Sequence, residues 1–296
     1  MDNILNKEIV FFNISGISVF ISFWIYAISF TNKFNILKKL GTFTLATSLI
    51  TLTIALVLRG LALKFFPLSN LYESLLMLGW AMTFMYLILE YKMKINSFGW
   101  VVSGLLLIIY LYASWLPASQ KEIMPLVPAL QSYWRIIHVP PLIMSYAVFI
   151  IASISSTAYL IEVNFIKQKP ASSTTEDSKI KINIQGNNIS ERAKFFDEVT
   201  YRCIGIGFPL LTIGIINGGL WANHAWGAFW QWDPKETMAL VTLFVYAIYL
   251  HFRLNVQASG KVLASISLIG VVMVYLTYLG VNLYDFGGLH TYGKLG

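Results

Sequence analysis

Apolar residues come in eight long stretches, near 9–30, 41–58, 70–90, 98–116, 141–163, 203–221, 236–252 and 262–281, with shorter polar segments between them. Each is close to the roughly 20 residues that a helix needs to cross the hydrocarbon core of a bilayer. Lipid gives the backbone no hydrogen-bond partner, so spanning segments are helices or closed barrels. Barrel strands alternate apolar and polar residues, and these runs do not. The pattern therefore predicts an all-α, polytopic transmembrane bundle of about eight spans, or seven if one of the shorter runs that carry Gly and Ser does not cross. No small-residue cleavage site follows the first run, so it is expected to be retained as a span. Composition agrees with a lipid environment, since only 12% of residues are charged against about 25% in soluble domains.

The net charge of +7 does not point to nucleic acid, because Lys and Arg are scattered through the inter-span segments rather than gathered in one stripe. They act instead as topology signals. One alternating set of segments holds fourteen of them and the other seven, the latter being Lys7, Arg59, Lys64, Lys121, Arg135, Lys235 and Lys294. The richer set is assigned to the cytoplasmic or stromal side, which places both termini and the segment 222–235 outside. The polar stretch 164–199 is a loop on the inner side. Its first part has the composition of a disordered segment, and its end, ERAKFFDEVTYR, reads either as an amphipathic helix on the membrane surface or as plain linker. The chain thus divides into N-terminal spans (1–60), central spans (61–163), the polar loop (164–199) and a C-terminal region (200–296). The single cysteine, Cys203, excludes an internal disulfide or a CxxC pair.

The most unusual segment is WANHAWGAFWQWDPKET, residues 221–237, which gathers Trp221, Trp226, Trp230 and Trp232 around Phe229 in an expected external loop. Indoles at this density offer a broad polarizable surface suited to a flat apolar ligand such as a porphyrin. The same residues also suit an interfacial aromatic belt. Asp233, Pro234 and Glu236 have the order of an N-cap, a first-turn proline and a capping box, a structural alternative to acid–base chemistry for the two carboxylates. Asn70 or Ser69, with Glu73, makes a similar start signal for the third span.

Four histidines are present, and neutral imidazole is well suited to ligate heme iron. His138, just before Pro140 and Pro141 at the outer start of the fifth span, and His290, after the eighth, emerge on the face that carries the Trp-rich segment. His251 closes the seventh span on the inner side, as a residue favoured by the helix dipole or as an inner heme ligand. His224 is a polar loop residue or a further ligand. The outer-face cations Arg59, Lys64, Arg135 and Lys235 are available to ligand carboxylates, the plainer reading of each alone being a solvated loop charge.

Together, the Trp-rich segment, FPLSNLYES (66–74), YRCIGIGFPLLTIGIINGG (201–219) and VNLYDFGGLHTYG (281–293) resemble the CcsA, or ResC, family of System II cytochrome c biogenesis. The resemblance covers most of residues 60–296 outside the polar loop. It departs from the family at Met238, where relatives commonly carry Trp, and at His224, where they commonly carry an acid. The resemblance implies that residues 200–296 are a WWD heme-handling region in which Trp221, Trp226, Trp230, Trp232 and Asp233 contact heme b. It implies that His138 and His290 ligate the iron on the outer side, and that His251 is a transmembrane ligand. It further implies a CcsB or ResB membrane partner, apocytochrome c as the protein substrate, and a thylakoid membrane with the WWD segment on the lumenal side. The chain would then be one component of a cytochrome c heme lyase, with no residue assigned as individually catalytic. Two other classes remain on the residues alone: a transporter of heme or another amphipathic solute without attachment chemistry, and a heme-based electron carrier. The carrier fits least, since only His251 lies near the inner side.

Overall fold

In the computed structural model, residues 2–31, 35–123, 126, 131–166 and 190–280 are described. His290, the C-terminal motif that contains it and the first part of the polar loop lie outside them. Among the described residues, eight helices are long and apolar enough to cross a membrane. They are α1 (Asp2–Thr31), α2 (Asn35–Leu63), α3 (Leu71–Met93), α4 (Gly99–Trp115), α5 (Trp134–Ile166), α6 (Glu191–Trp226), α7 (Pro234–His251) and α8 (Gly260–Tyr275). Single π-helical turns extend α7 to Val256 and α8 to Gly280. Among the described residues there is no strand, and the chain is a multi-pass helical membrane protein.

Local signals set several boundaries. Asn70 caps α3, its Oδ1 accepting from the Glu73 amide at 2.9 Å. Ser190 caps α6 through the Ala193 amide at 3.1 Å. Gly227 ends α6 in the left-handed region, φ +77°, a conformation that costs glycine little.

Two helices depart from the expected spans. α5 begins seven residues before Pro141, so the proline pair lies inside the helix rather than at its start. Proline has no N–H, so the carbonyls of Ile136 and Ile137 lose their usual partners four residues on. Asn217 of α6 supplies one replacement, its Nδ2 donating to the Ile137 oxygen at 3.4 Å. α6 runs for 36 residues, roughly 54 Å at 1.5 Å per residue, against about 30 Å of hydrocarbon. Its beginning is the stretch expected either as a surface helix or as plain linker, and its last turns take in Trp221, His224 and Trp226, expected in an external loop. The first turns are continuous with the span because Phe196 and Val199 are buried in the bundle, Phe196 against Phe98 with ring centroids 5.5 Å apart. Arg253 pairs with Asp197 and, at 3.9 Å, with Glu198, tying the end of α7 to the beginning of α6.

α1 packs on α2 and α4, α5 on α6 and α8, and the contact between α3 and α5 joins the two sets. The interior of the first set is polar in places, and its buried charges are partnered. Ser15 Oγ bonds Tyr110 OH at 2.5 Å and donates to the Ser48 carbonyl at 2.8 Å. Near the end of α3, Glu90 accepts from Tyr26 OH at 2.8 Å and from Asn96 at 2.6 Å. Near the end of α2, Arg59 is buried, against the expectation of a solvated loop charge. Its Nε donates to Glu73 at 3.0 Å, its Nη1 lies 3.6 Å from Glu8, and its Nη2 donates to the Lys121 carbonyl at 2.6 Å. Tyr72 OH donates to Glu8 at 2.8 Å, and the Ser69 amide and hydroxyl both donate to Glu73 at 2.6 Å. This cluster joins α1, α2, the start of α3 and the segment after α4.

Removing one member of a buried ion pair leaves the other charge uncompensated, at a cost of about 3–5 kcal/mol. Arg59→Met is therefore expected to lower the thermal unfolding midpoint of the detergent-solubilised protein sharply. Arg59→Met combined with Glu8→Gln and Glu73→Gln is expected to recover most of the loss; a triple variant no more stable than the single one would contradict the ion-pair account.

Candidate functional site

The starts of α3, α5 and α7 and the ends of α6 and α8 meet at one end of the bundle around an open cleft with a cavity volume of about 210 Å³. That is smaller than the roughly 300–1,000 Å³ that ligand pockets commonly span. The cleft is lined largely by apolar side chains, with His138, Arg135, Trp221, Trp230, Lys235 and Tyr278 among the polar and aromatic ones. Meeting at one end requires these five helix termini to lie on the same side, as eight consecutive spans provide.

His138 is fixed from two directions. Its Nδ1 lies 2.7 Å from the Gly214 carbonyl oxygen of α6. A carbonyl only accepts, so Nδ1 carries a proton, and in the neutral ring the lone pair is then on Nε2, the atom suited to a metal. The imidazole also stacks on Trp221, with centroids 5.9 Å apart and planes 19° from parallel. Gly218 makes this close approach possible, because a Cβ there would stand 2.5 Å from His138 Cε1.

The four indoles do not form one loop platform. Trp221 and Trp226, on the last turns of α6, pack edge to face at 4.8 Å, and Trp230 and Trp232 do so at 5.9 Å within the short segment before α7. Trp221 and Trp230 line the cleft, whereas Trp232 is 70% exposed. Trp232 has φ +57°, a strained conformation for a bulky side chain. The residues around it are held in place by Glu236, whose Oε2 accepts from the Gln231 amide at 2.9 Å and the Asp233 amide at 3.3 Å. Asp233 completes the capping box, accepting from the Lys235 amide at 2.9 Å. It is buried, and it orders the turn that delivers Trp230 and Lys235.

Of the remaining candidates, His224 is exposed on the last turn of α6, and Lys64 is exposed. His251 is exposed at the opposite end of the bundle, its Nδ1 3.0 Å from Asn255, far along α7 from the cleft. His290 lies outside the described residues. Sequence reasoning did not single out Gly214, Gly218 or Tyr278. The GIINGG run held a signal, since closely spaced glycines on a spanning helix mark places where another element comes close.

The family model described as cytochrome C assembly protein matches residues 68–289. A cytochrome c biogenesis protein CcsA from Mesostigma viride is 40% identical over 98% of both chains. The chain belongs to the CcsA family. Another CcsA, from Chlamydomonas reinhardtii, is 42% identical over 84% of this chain and 67% of its own. Among solved structures, Cytochrome c Heme Lyase CcmF superposes with a TM-score of 0.68 at 12% identity. The match covers 93% of this chain and 46% of that one, so this CcsA family member spans about half of that structure and shares its fold. As a CcsA family member the protein has a role in cytochrome c maturation, and the matched interval contains every residue that lines the cleft.

Gly218→Ala is expected to crowd the His138 ring and break its bond to Gly214, lowering accumulation of c-type cytochromes, read by heme staining, toward the level of His138→Ala. Gly205→Ala is the control, since nothing lies within 4 Å of a Cβ there. Equal maturation in the two glycine variants would remove Gly218 from the site.

Proposed function

We propose that this chain is the heme-binding subunit of a membrane cytochrome c synthase, receiving heme b as substrate in the cleft and presenting it on the outer side. The observation that supports this is the convergence of an oriented imidazole, His138, with Trp221, Trp230 and a buried guanidinium in one largely apolar cleft. These groups suit the porphyrin: an imidazole for the iron, indole faces for the ring and cations for its carboxylates. His290 is the second outer ligand in this reading, and His251 is a separate inner one. Trp226, Trp232 and Asp233 belong to the heme-contacting WWD segment, with Asp233 acting through the cap it forms.

The synthase reaction adds each thiol of an apocytochrome CxxCH motif across a heme vinyl group, sulfur bonding one carbon and hydrogen the other, with no net oxidation. The chain's contribution is to bind, orient and shield the ring so that the addition becomes close to intramolecular. A CcsB- or ResB-like membrane protein supplies the rest of the complex. The membrane is the thylakoid, with the Trp-rich segment on the lumenal side.

The test is the absorption spectrum of the purified chain, with and without that partner, for wild type, His138→Ala and His290→Ala. A bis-histidine heme spectrum in the wild type, lost in each variant, is the expected result. Folded protein that carries no heme in any preparation, partner included, would overturn the reading, and rescue of maturation by heme supplied outside would favour a transporter instead. For orientation, with Cys203 replaced by Ala, Gln231→Cys is expected to react with an impermeant thiol reagent from the lumenal side and Tyr91→Cys only from the other. The reverse pattern would invert the topology.

A further inference from the structure

The four outer-face cations, alike in the sequence, have different fates in the fold. Arg59 is neutralised by Glu8 and Glu73, and Lys64 is exposed. Arg135 and Lys235 line the cleft. Arg135 is 3% exposed, and its Nη2 donates to the Phe66 carbonyl at 3.2 Å. Its Nε and Nη1 are buried with no hydrogen-bond partner among the described residues.

A guanidinium does not escape burial by losing its proton, and a buried charge without a partner is strongly unfavourable. The acids close to the cleft do not meet this need. Glu73 is near enough for Arg135 to feel its field, but it makes no ion pair with it, and its oxygens are taken by Arg59 and Ser69. Glu236 and Asp233 are committed to the start of α7. The site therefore has the form of a cation awaiting an anion that the described residues do not provide.

Resting on the reading that the cleft takes heme, we propose that Arg135, assisted by Lys235, is a carboxylate clamp that binds the propionate edge of the porphyrin. Arg135 and His138 are three residues apart and so share one face of α5, a rise of roughly 4.5 Å. A group for the ring's central metal and a group for its acidic edge thus stand on the same wall. Recognition then depends on the carboxylates as well as on the iron, and a porphyrin held by its propionates keeps its vinyl edge away from the clamp.

The experiment uses the full chain in lipid nanodiscs, titrated with hemin and with hemin dimethyl ester and followed by absorbance. The wild type is expected to bind the free acid at least about tenfold more tightly than the ester, the scale of one or more charge-assisted hydrogen bonds. Arg135→Gln is expected to bind both forms equally, Arg135→Lys to recover part of the preference, and His138→Ala to weaken both forms by the same factor. Comparing the two ligands on the wild type needs no variant to fold. A wild type that binds hemin through His138 but takes the ester equally well would overturn the clamp and leave the heme reading intact. Binding of neither form would overturn both. A preference kept in Arg135→Gln would also overturn the clamp. So would a preference that disappears in anionic-lipid discs, because the guanidinium would then belong to a lipid phosphate.

Discussion

The interior of this bundle is cut off from water, and a charge placed there is stable only with a partner inside the protein. That constraint explains most of the α1–α4 set. Glu90 is surrounded by donors, Arg59 stands between two carboxylates from different helices, and the Ser15 hydroxyl is turned onto a carbonyl and a phenol. These bonds also specify how the helices sit against one another, since lipid provides no hydrophobic drive between apolar faces and leaves packing and polar contacts to choose the arrangement. For charged groups, the cleft is where the rule is relaxed. Among the described residues, two nitrogens of Arg135 have no partner on the wall of an open cleft, and the contrast with Arg59, equally buried and fully engaged, gives that deficit its meaning.

The second organising feature is the way α6 serves the site without supplying its most reactive group. It gives a carbonyl that sets the proton position of His138, a gap at Gly218 in which the ring lies, and an indole that covers the ring. The segment that follows turns sharply at Trp232 and is held by backbone bonds to Glu236. The aromatic side chains there are positioned by a helix end and a capping box, both rigid devices, so the cleft wall is ordered before any ligand arrives.

The spans were legible in the sequence because a run of about twenty apolar residues is long enough for a bilayer and too long for an ordinary buried helix. Helix ends were less so. The beginnings of α5 and α6 are amphipathic or polar, and a count of apolar residues stops short of them. Pro140 and Pro141 read as a start signal because nothing local shows that Asn217, some eighty residues away, compensates for a missing donor. The same distance problem hid the burial of Arg59, whose partner Glu8 is on another helix. The capping role of Asp233 and Glu236 was visible in full, since it depends on neighbours only a few positions apart. The aromatic density of residues 221–232 was plain, but its division into two pairs depends on where α6 stops.

The proline pair has one further effect. The turn of α5 that carries Arg135 and His138 is fastened by bonds to α6, through Asn217 to Ile137 and through His138 to Gly214. A slide of α5 along α6 by a single residue, about 1.5 Å, would strain both at once. The axial register of the two helices is therefore read out at the cleft itself, and the helix that measures the position of the imidazole is the neighbour, not the one on which it grows.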